Sequence, residues 1–141
     1  MTMIKRIMLP VDLESLDHLP KTLAITGRLA LDHDAEVCYV GVSDVTPGRA
    51  AANPEAYAQQ LAEVADEQGA CHGIRTSSRA IHSVDPSVEL DRLLLAEAVA
   101  LDADLVVMPS HVPGLPDMLC LISSHAAFIA RHAPMSVLVV R

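Results

Sequence analysis

Along this chain, short aliphatic runs are followed by longer stretches in which apolar residues return every three or four positions. Ile4–Pro10 (centred on Ile7, Met8 and Leu9), Glu36–Val42, a segment around Ile74–Ile81, Asp104–Met108 and Ser136–Val140 read as β-strands. The fourth and fifth are almost wholly aliphatic, as strands covered on both faces are. Helical spacing links Leu16, Leu19, Leu23, Gly27, Ala30 and Leu31, and then Tyr57, Leu61, Val64 and Ala65. A third stripe, entered through Pro86-Ser87, is Leu90, Leu93, Leu94, Ala98 and Leu101, and a fourth is Ile122, Ala126, Ile129, Ala130 and Ala133. Pro20 suits a first helical turn, where a missing N–H costs little. Strands alternating with helices predict a parallel α/β sheet. Val45–Pro54 is the one long irregular connection; it reads as a loop, with a mobile lid as the alternative. No boundary or repeat divides the chain, so one domain over 1–141 is expected.

Composition sharpens this picture. Hydrophobic residues make up 51% of the chain and aromatics only 2%, so the core must be aliphatic. A formal net charge of −8 without Lys/Arg clusters argues against nucleic acid or an anionic membrane as partner. Met1-Thr2-Met3-Ile4-Lys5-Arg6 runs straight into the first strand with no signal-peptide pattern, and no apolar stretch is long enough to cross a bilayer. A cytoplasmic protein is expected, with Cys38, Cys71 and Cys120 as reduced thiols.

The candidate chemistry gathers near the end. Val106-Val107-Met108-Pro109-Ser110-His111-Val112-Pro113-Gly114 is a strand leading into a loop, and Ser123-Ser124 opens a helix before the last strand. That order puts a loop and a helix N-terminus at the C-terminal edge of a parallel sheet, where α/β folds bind anions. The loop, however, holds proline and valine where a phosphate cradle would want glycine. His111, Cys120 and His125 flank it without metal-ligand spacing, so no metal is expected. Ser110 and His111 are adjacent, which rarely lets two side chains face each other productively, and no third catalytic group is identifiable. Glu14 with Asp17, and Asp32 with Asp34, read as solvated turn and helix-end carboxylates.

Five segments, in order, resemble the universal stress protein family over essentially the full length. Lys5-Arg6-Ile7-Met8-Leu9-Pro10-Val11-Asp12 is similar to the family's first strand, which ends in an aspartate. Val40-Gly41-Val42-Ser43-Asp44 is similar to the end of its second strand, and Val84-Asp85-Pro86 stands where the family often has Gly-x-Pro. The most specific matches are Ala103-Asp104-Leu105-Val106-Val107-Met108 and Arg131-His132-Ala133-Pro134-Met135-Ser136-Val137-Leu138-Val139-Val140. The resemblance implies a five-stranded parallel sheet of order 3-2-1-4-5 with helices on both faces, Rossmann-like and adenine-nucleotide alpha-hydrolase-like. It also implies a homodimer through the C-terminal strand, Val137, Leu138, Val139 and Val140. Physics agrees, because a bare Val-Leu-Val-Val edge would recruit any other strand unless its two-fold copy or another element covers it.

ATP-binding members of the family carry Gly-x-x-Gly, nine residues, then Gly-Ser or Gly-Thr, so that backbone N–H groups reach the phosphates. Here the matching positions are Pro109-Ser110-His111-Val112, ten residues, then Ser123-Ser124, with Val84 in place of a further glycine. Pro109 removes an N–H, Val112 disfavours positive φ, and Ser123 adds a Cβ at the close approach. Losing two or three hydrogen bonds to charged oxygen, at about 1.5–3 kcal/mol each, rivals the ~8 kcal/mol behind a micromolar complex. The resemblance places Pro10, Val11, Asp12 and Val42 at the base- and ribose-contacting positions, with Met108, Ser110, His111, Ser123 and Ser124 completing a weakened nucleotide site. Asp12 either accepts from a ribose hydroxyl or orders the loop near Ser15. Ser124 either caps the last helix or meets an anion there.

The expectation is therefore a dimeric stress-response or regulatory module, not an enzyme, that acts on a protein partner unknown and has no cofactor. The alternative is a nucleotide sensor that binds ATP or another adenine nucleotide. Phosphoryl chemistry is disfavoured because no carboxylate pair for a metal and no lysine accompany the loop.

Overall fold

A computed structural model describes residues 3–43, 53–83, 86–109 and 124–141, without side chains at 86–88 and 124. The strands are β1 (Arg6–Pro10), β2 (Glu36–Ser43), β3 (Arg75–His82), β4 (Leu105–Pro109) and β5 (Ser136–Val140). The helices are α1 (Pro20–His33), α2 (Pro54–His72), α3 (Pro86–Ala100) and α4 (Ser124–His132), and a 3₁₀ segment, Leu13–His18, precedes α1. The sheet is parallel throughout, in the order β3-β2-β1-β4-β5, as expected.

Strand side chains alternate between two aliphatic layers. Ile7, Leu9, Val37, Tyr39, Leu105 and Val107 pack with Ala30 of α1 and Leu61 and Ala65 of α2. Met8, Cys38, Val40, Val106 and Met108 pack with Leu94 and Ala98 of α3 and Ala126 and Ile129 of α4. Burying Ile7, Met8 and Leu9 completely, at roughly 1.5–3 kcal/mol per side chain, makes β1 the centre of both layers.

Local signals set the ends. Pro20 stands in the first turn of α1, as expected, and Asp34 ends the helix in the left-handed region at φ 53°. Asn53 caps α2 by accepting from the Ala56 N–H at 2.7 Å, and Gly73, at φ 66°, supplies the left-handed residue that stops it. At the opposite sheet edge from the candidate site, the Asp104 carboxylate accepts from the N–H groups of Lys5 (2.8 Å) and Arg6 (3.0 Å), tying β1 to the start of β4.

Several expectations need correction. Leu16 lies in the 3₁₀ segment and not on α1, because Pro20 disfavours helical geometry at Leu19 (φ −109°, ψ 4°) and the helix restarts. Leu31 is 50% exposed and Ala130 is exposed, so neither belongs to a buried stripe. Leu101 and Ala133 fall just past the ends of α3 and α4. Pro109 is the last residue of β4, paired with Val140, and not a loop residue. Among the described residues β5 pairs only with β4, and its residues before Val140 are exposed or half-buried, so it is an edge rather than a doubly covered strand. Ile122 lies outside the described residues, as does all of Val45–Pro54 except Asn53 and Pro54.

Candidate functional site

The sheet's order reverses direction at β1, so its crevice opens between the C-terminal ends of β1 and β4, where doubly wound folds bind ligands. β1 ends at Pro10, which is half-buried. Val11 continues the chain with its N–H donated to the Val40 carbonyl at 2.7 Å and its side chain 4% exposed. Met108, 3% exposed, comes from β4 on the other side. Val42, half-buried near the end of β2, lies opposite Ile81 of β3. These residues and Asp12 thus lie at or near strand ends on one sheet edge.

Asp12 is exposed and caps the 3₁₀ segment. Its Oδ1 accepts from the Glu14 N–H at 3.0 Å, and its Oδ2 accepts from the Ser15 hydroxyl at 3.3 Å. The loop-ordering role is therefore present. A carboxylate offers about four acceptor positions, so two remain for a ligand hydroxyl.

The C-terminal ends of β2 and β3 add a polar group that the sequence reading missed. The Ser43 hydroxyl lies 3.3 Å from His82 Nδ1 and 3.4 Å from the Ile81 carbonyl. The Ser83 hydroxyl donates to Glu89 Oε2 at 2.7 Å, tying the end of β3 to the first turns of α3. Dispersed single residues leave no spacing signal, and only the parallel register brings them together. Beside them, Tyr57 of α2 lies against Gly41; a Cβ there would meet its hydroxyl oxygen at 2.5 Å.

Ser110, His111 and Ser123 lie outside the described residues, as does Cys120, and Ser124 is placed only as the first residue of α4. His125, which the sequence set beside the loop without metal-ligand spacing, pairs with Asp91 of α3 at Nδ1···Oδ1 2.6 Å and so joins α3 to α4. Among the described residues no three His, Cys, Asp or Glu side chains converge on a metal position, and no helix is long and apolar enough to cross a membrane. Among the described residues, the two groups with shifted acidity lie in the core. Burial pushes the Cys38 thiol up, against the Ser77 hydrogen bond and the Arg79 charge. Burial, reinforced by Cys71, pushes the Tyr39 phenol up to about 12.

Fold and crevice together define a doubly wound α/β protein with a crevice at the β1/β4 switch point. The chain belongs to the universal stress protein family, whose model matches residues 3–141. No curated protein matches it, but solved structures do. A universal stress protein in complex with cAMP is 18% identical, with a TM-score of 0.68 over 98% of this chain and 97% of that one. The Archaeoglobus fulgidus universal stress protein in complex with dAMP is 17% identical, with a TM-score of 0.68 over 99% of each chain. Universal stress protein UspA from Lactobacillus plantarum is 18% identical, with a TM-score of 0.62 over 98% of each. At such identities the likeness shows the fold alone.

Proposed function

We propose that this chain is a single-domain, homodimeric regulatory module of the cytoplasm, acting through a protein partner, that does not hold ATP tightly. Pro109 carries this reading. It completes β4 opposite Val140 where ATP-binding relatives begin their glycine loop, and it brings no N–H to that edge. Val112 and Ser123 stand at the other two glycine positions. The dimer would form through β5, whose Val137, Leu138 and Val139 are only half-buried within one chain. Natively purified protein is expected to carry no stoichiometric adenine nucleotide by chromatography, and ATP titration by calorimetry to give no micromolar binding. Either result reversed would sink the reading. Sedimentation at the mass of one chain would remove the dimer.

A second reading, an adenine-nucleotide sensor, is supported by the crevice itself. Pro10, Val11, Asp12 and Met108 lie at or just past the ends of β1 and β4, with Val42 near the end of β2, and two structural neighbours are complexes with cAMP and dAMP. A monophosphate asks less of the loop than a triphosphate. Ser124 could meet its phosphate at the start of α4, along with Ser110, His111 and Ser123. Measurable AMP binding that Asp12→Ala and Ser124→Ala weaken would support this reading; binding that neither changes would count against it.

A further inference from the structure

α3 lies on the sheet through Leu90, Leu94 and Ala98, which pack in the layer that also holds Met8, Val40 and Met108. The residues on either side of Leu90 are both acidic, and a helix turns about 100° per residue, so they leave its two flanks in opposite directions. Glu89 accepts from the Ser83 hydroxyl at 2.7 Å, just past the end of β3. Asp91 meets His125 Nδ1 at 2.6 Å, at the start of α4. We infer that α3 is a brace that couples the start of α4 to the ends of β2 and β3, so that a change of order at one is felt at the other. This coupling is a property of the ligand-free chain and does not depend on nucleotide binding.

Three observations carry this. First, the links form a continuous line. Ser83 is buried, and besides its hydroxyl bond to Glu89 its N–H donates to the Ser43 carbonyl at 2.9 Å, so the line reaches the end of β2. Second, α3 is held on its β3 flank at two heights. Eight positions after Glu89, Glu97 meets Arg79 of β3 at 2.8 Å. A helix of 15 residues tied twice on one side moves as a rod. Third, the ties at Glu89 and Asp91 are sensitive to displacement. Each has a carboxylate partner, the stronger kind of hydrogen bond, and a shift of about 1 Å takes either beyond hydrogen-bond length. α3 therefore cannot settle toward or away from α4 without straining its bond to Ser83. The two ends it joins carry Ser124 and Val42, so a ligand or partner that orders one would tighten the other.

Native-state amide exchange of the full chain, read in ¹⁵N spectra at fixed pH, tests the brace. His125→Ala should speed exchange of the Ser83 amide about tenfold, the size of one charge-assisted hydrogen bond. Ser83→Ala should in turn speed Phe128 and Ile129 of α4, although the substitution lies on the other flank of α3. Asp91→Ala should match His125→Ala, whereas Asp91→Asn, which keeps an acceptor for the imidazole, should restore most of the protection. The Ile7 and Met8 amides of β1 should keep their rates throughout. Arg28→Gln, which removes an exposed ion pair on α1, should leave Ser83 unchanged. Effects confined to the substituted flank would overturn the inference, because each tie would then be a local contact. So would a uniform rise that includes β1, an equal effect of Arg28→Gln, or an Asp91→Asn that behaves like Asp91→Ala.

Discussion

Tyr39 is wholly buried in the middle of β2, yet its phenolic oxygen has no hydrogen-bond partner among the described residues. Removing that oxygen should therefore make the protein more stable. Burying a hydroxyl without a partner costs roughly 1–3 kcal/mol in proteins. Tyr39→Phe keeps the ring packed between Leu9 and Ser78 of the adjoining strands and gives up only the few tenths of a kcal/mol of dispersion that one atom makes. The net expectation is a gain of about 1–2 kcal/mol, or about 3–4 °C in melting temperature per kcal/mol for a chain of this size. Urea unfolding should show a higher midpoint at unchanged slope, since the surface exposed hardly changes.

The same residue gives an alkaline signature. Its acidity lies near 12 in the folded protein against 10.0 when solvated. Below pH 10 both states hold the proton and Tyr39 has no effect on the pH dependence. Between about 10 and 12 only the unfolded state releases it, so stability falls by about 1.4 kcal/mol per pH unit. Tyr39→Phe should remove that slope. A loss of stability beyond about 1 kcal/mol in the variant would refute the reasoning, because it would mean that the phenol holds a partner.

Other substitutions probe the packing and the crevice. Gly27→Ala should destabilise by about 1–3 kcal/mol despite better helix propensity, because its Cβ would stand 2.4 Å from His72 Cγ, and adding His72→Ala should recover most of the loss in a thermal double-mutant cycle. Asp12→Ala should cost about 1 kcal/mol of stability with no ligand present, whereas Asp12→Asn should keep the cap and the melting temperature. At neutral pH Cys71 should react with a maleimide while Cys38, buried and with its thiol pushed up, stays unmodified by peptide mapping of the native protein.

The strands were legible because a period of two, or an unbroken aliphatic run, is a strong signal; Ile7 and Leu9 face one layer and Met8 the other, as alternation requires. The first helix was less legible. Its buried face includes Thr22 and Thr26, which an apolar count passes over, while Leu31, which the count includes, is half exposed. Thr26 is tolerated there because its hydroxyl donates to the Thr22 carbonyl at 2.8 Å, one turn back. Asp12 stood out as a strand-end carboxylate, but its capping bonds depend on the kink at Ser15 that no pattern announces. The contact between Lys21 and the Arg141 main chain was invisible for a different reason: the two are far apart in the chain, and only closure of β5 against β4 brings the last residues beside the start of α1.

The two edges of the sheet give the proposed dimer its direction. β3, at one edge, reads Arg75-Thr-Ser-Ser-Arg-Ala-Ile-His82, and charge and hydroxyls along a strand discourage another strand from pairing with it. Its Arg79 is committed to Glu97 of α3 at 2.8 Å, and Arg75 to the Asp34 carbonyl at 2.8 Å, so pairing there would have to displace existing bonds. β5, at the other edge, reads Ser-Val-Leu-Val-Val, with no charge within the strand. Alternate residues already pack on opposite layers, Val137 and Val139 on one and Leu138 and Val140 on the other. A second copy added across the two-fold would therefore extend both layers at once without disturbing either. That continuity, rather than the apolar composition alone, is the reason to propose the interface at β5 and not at β3.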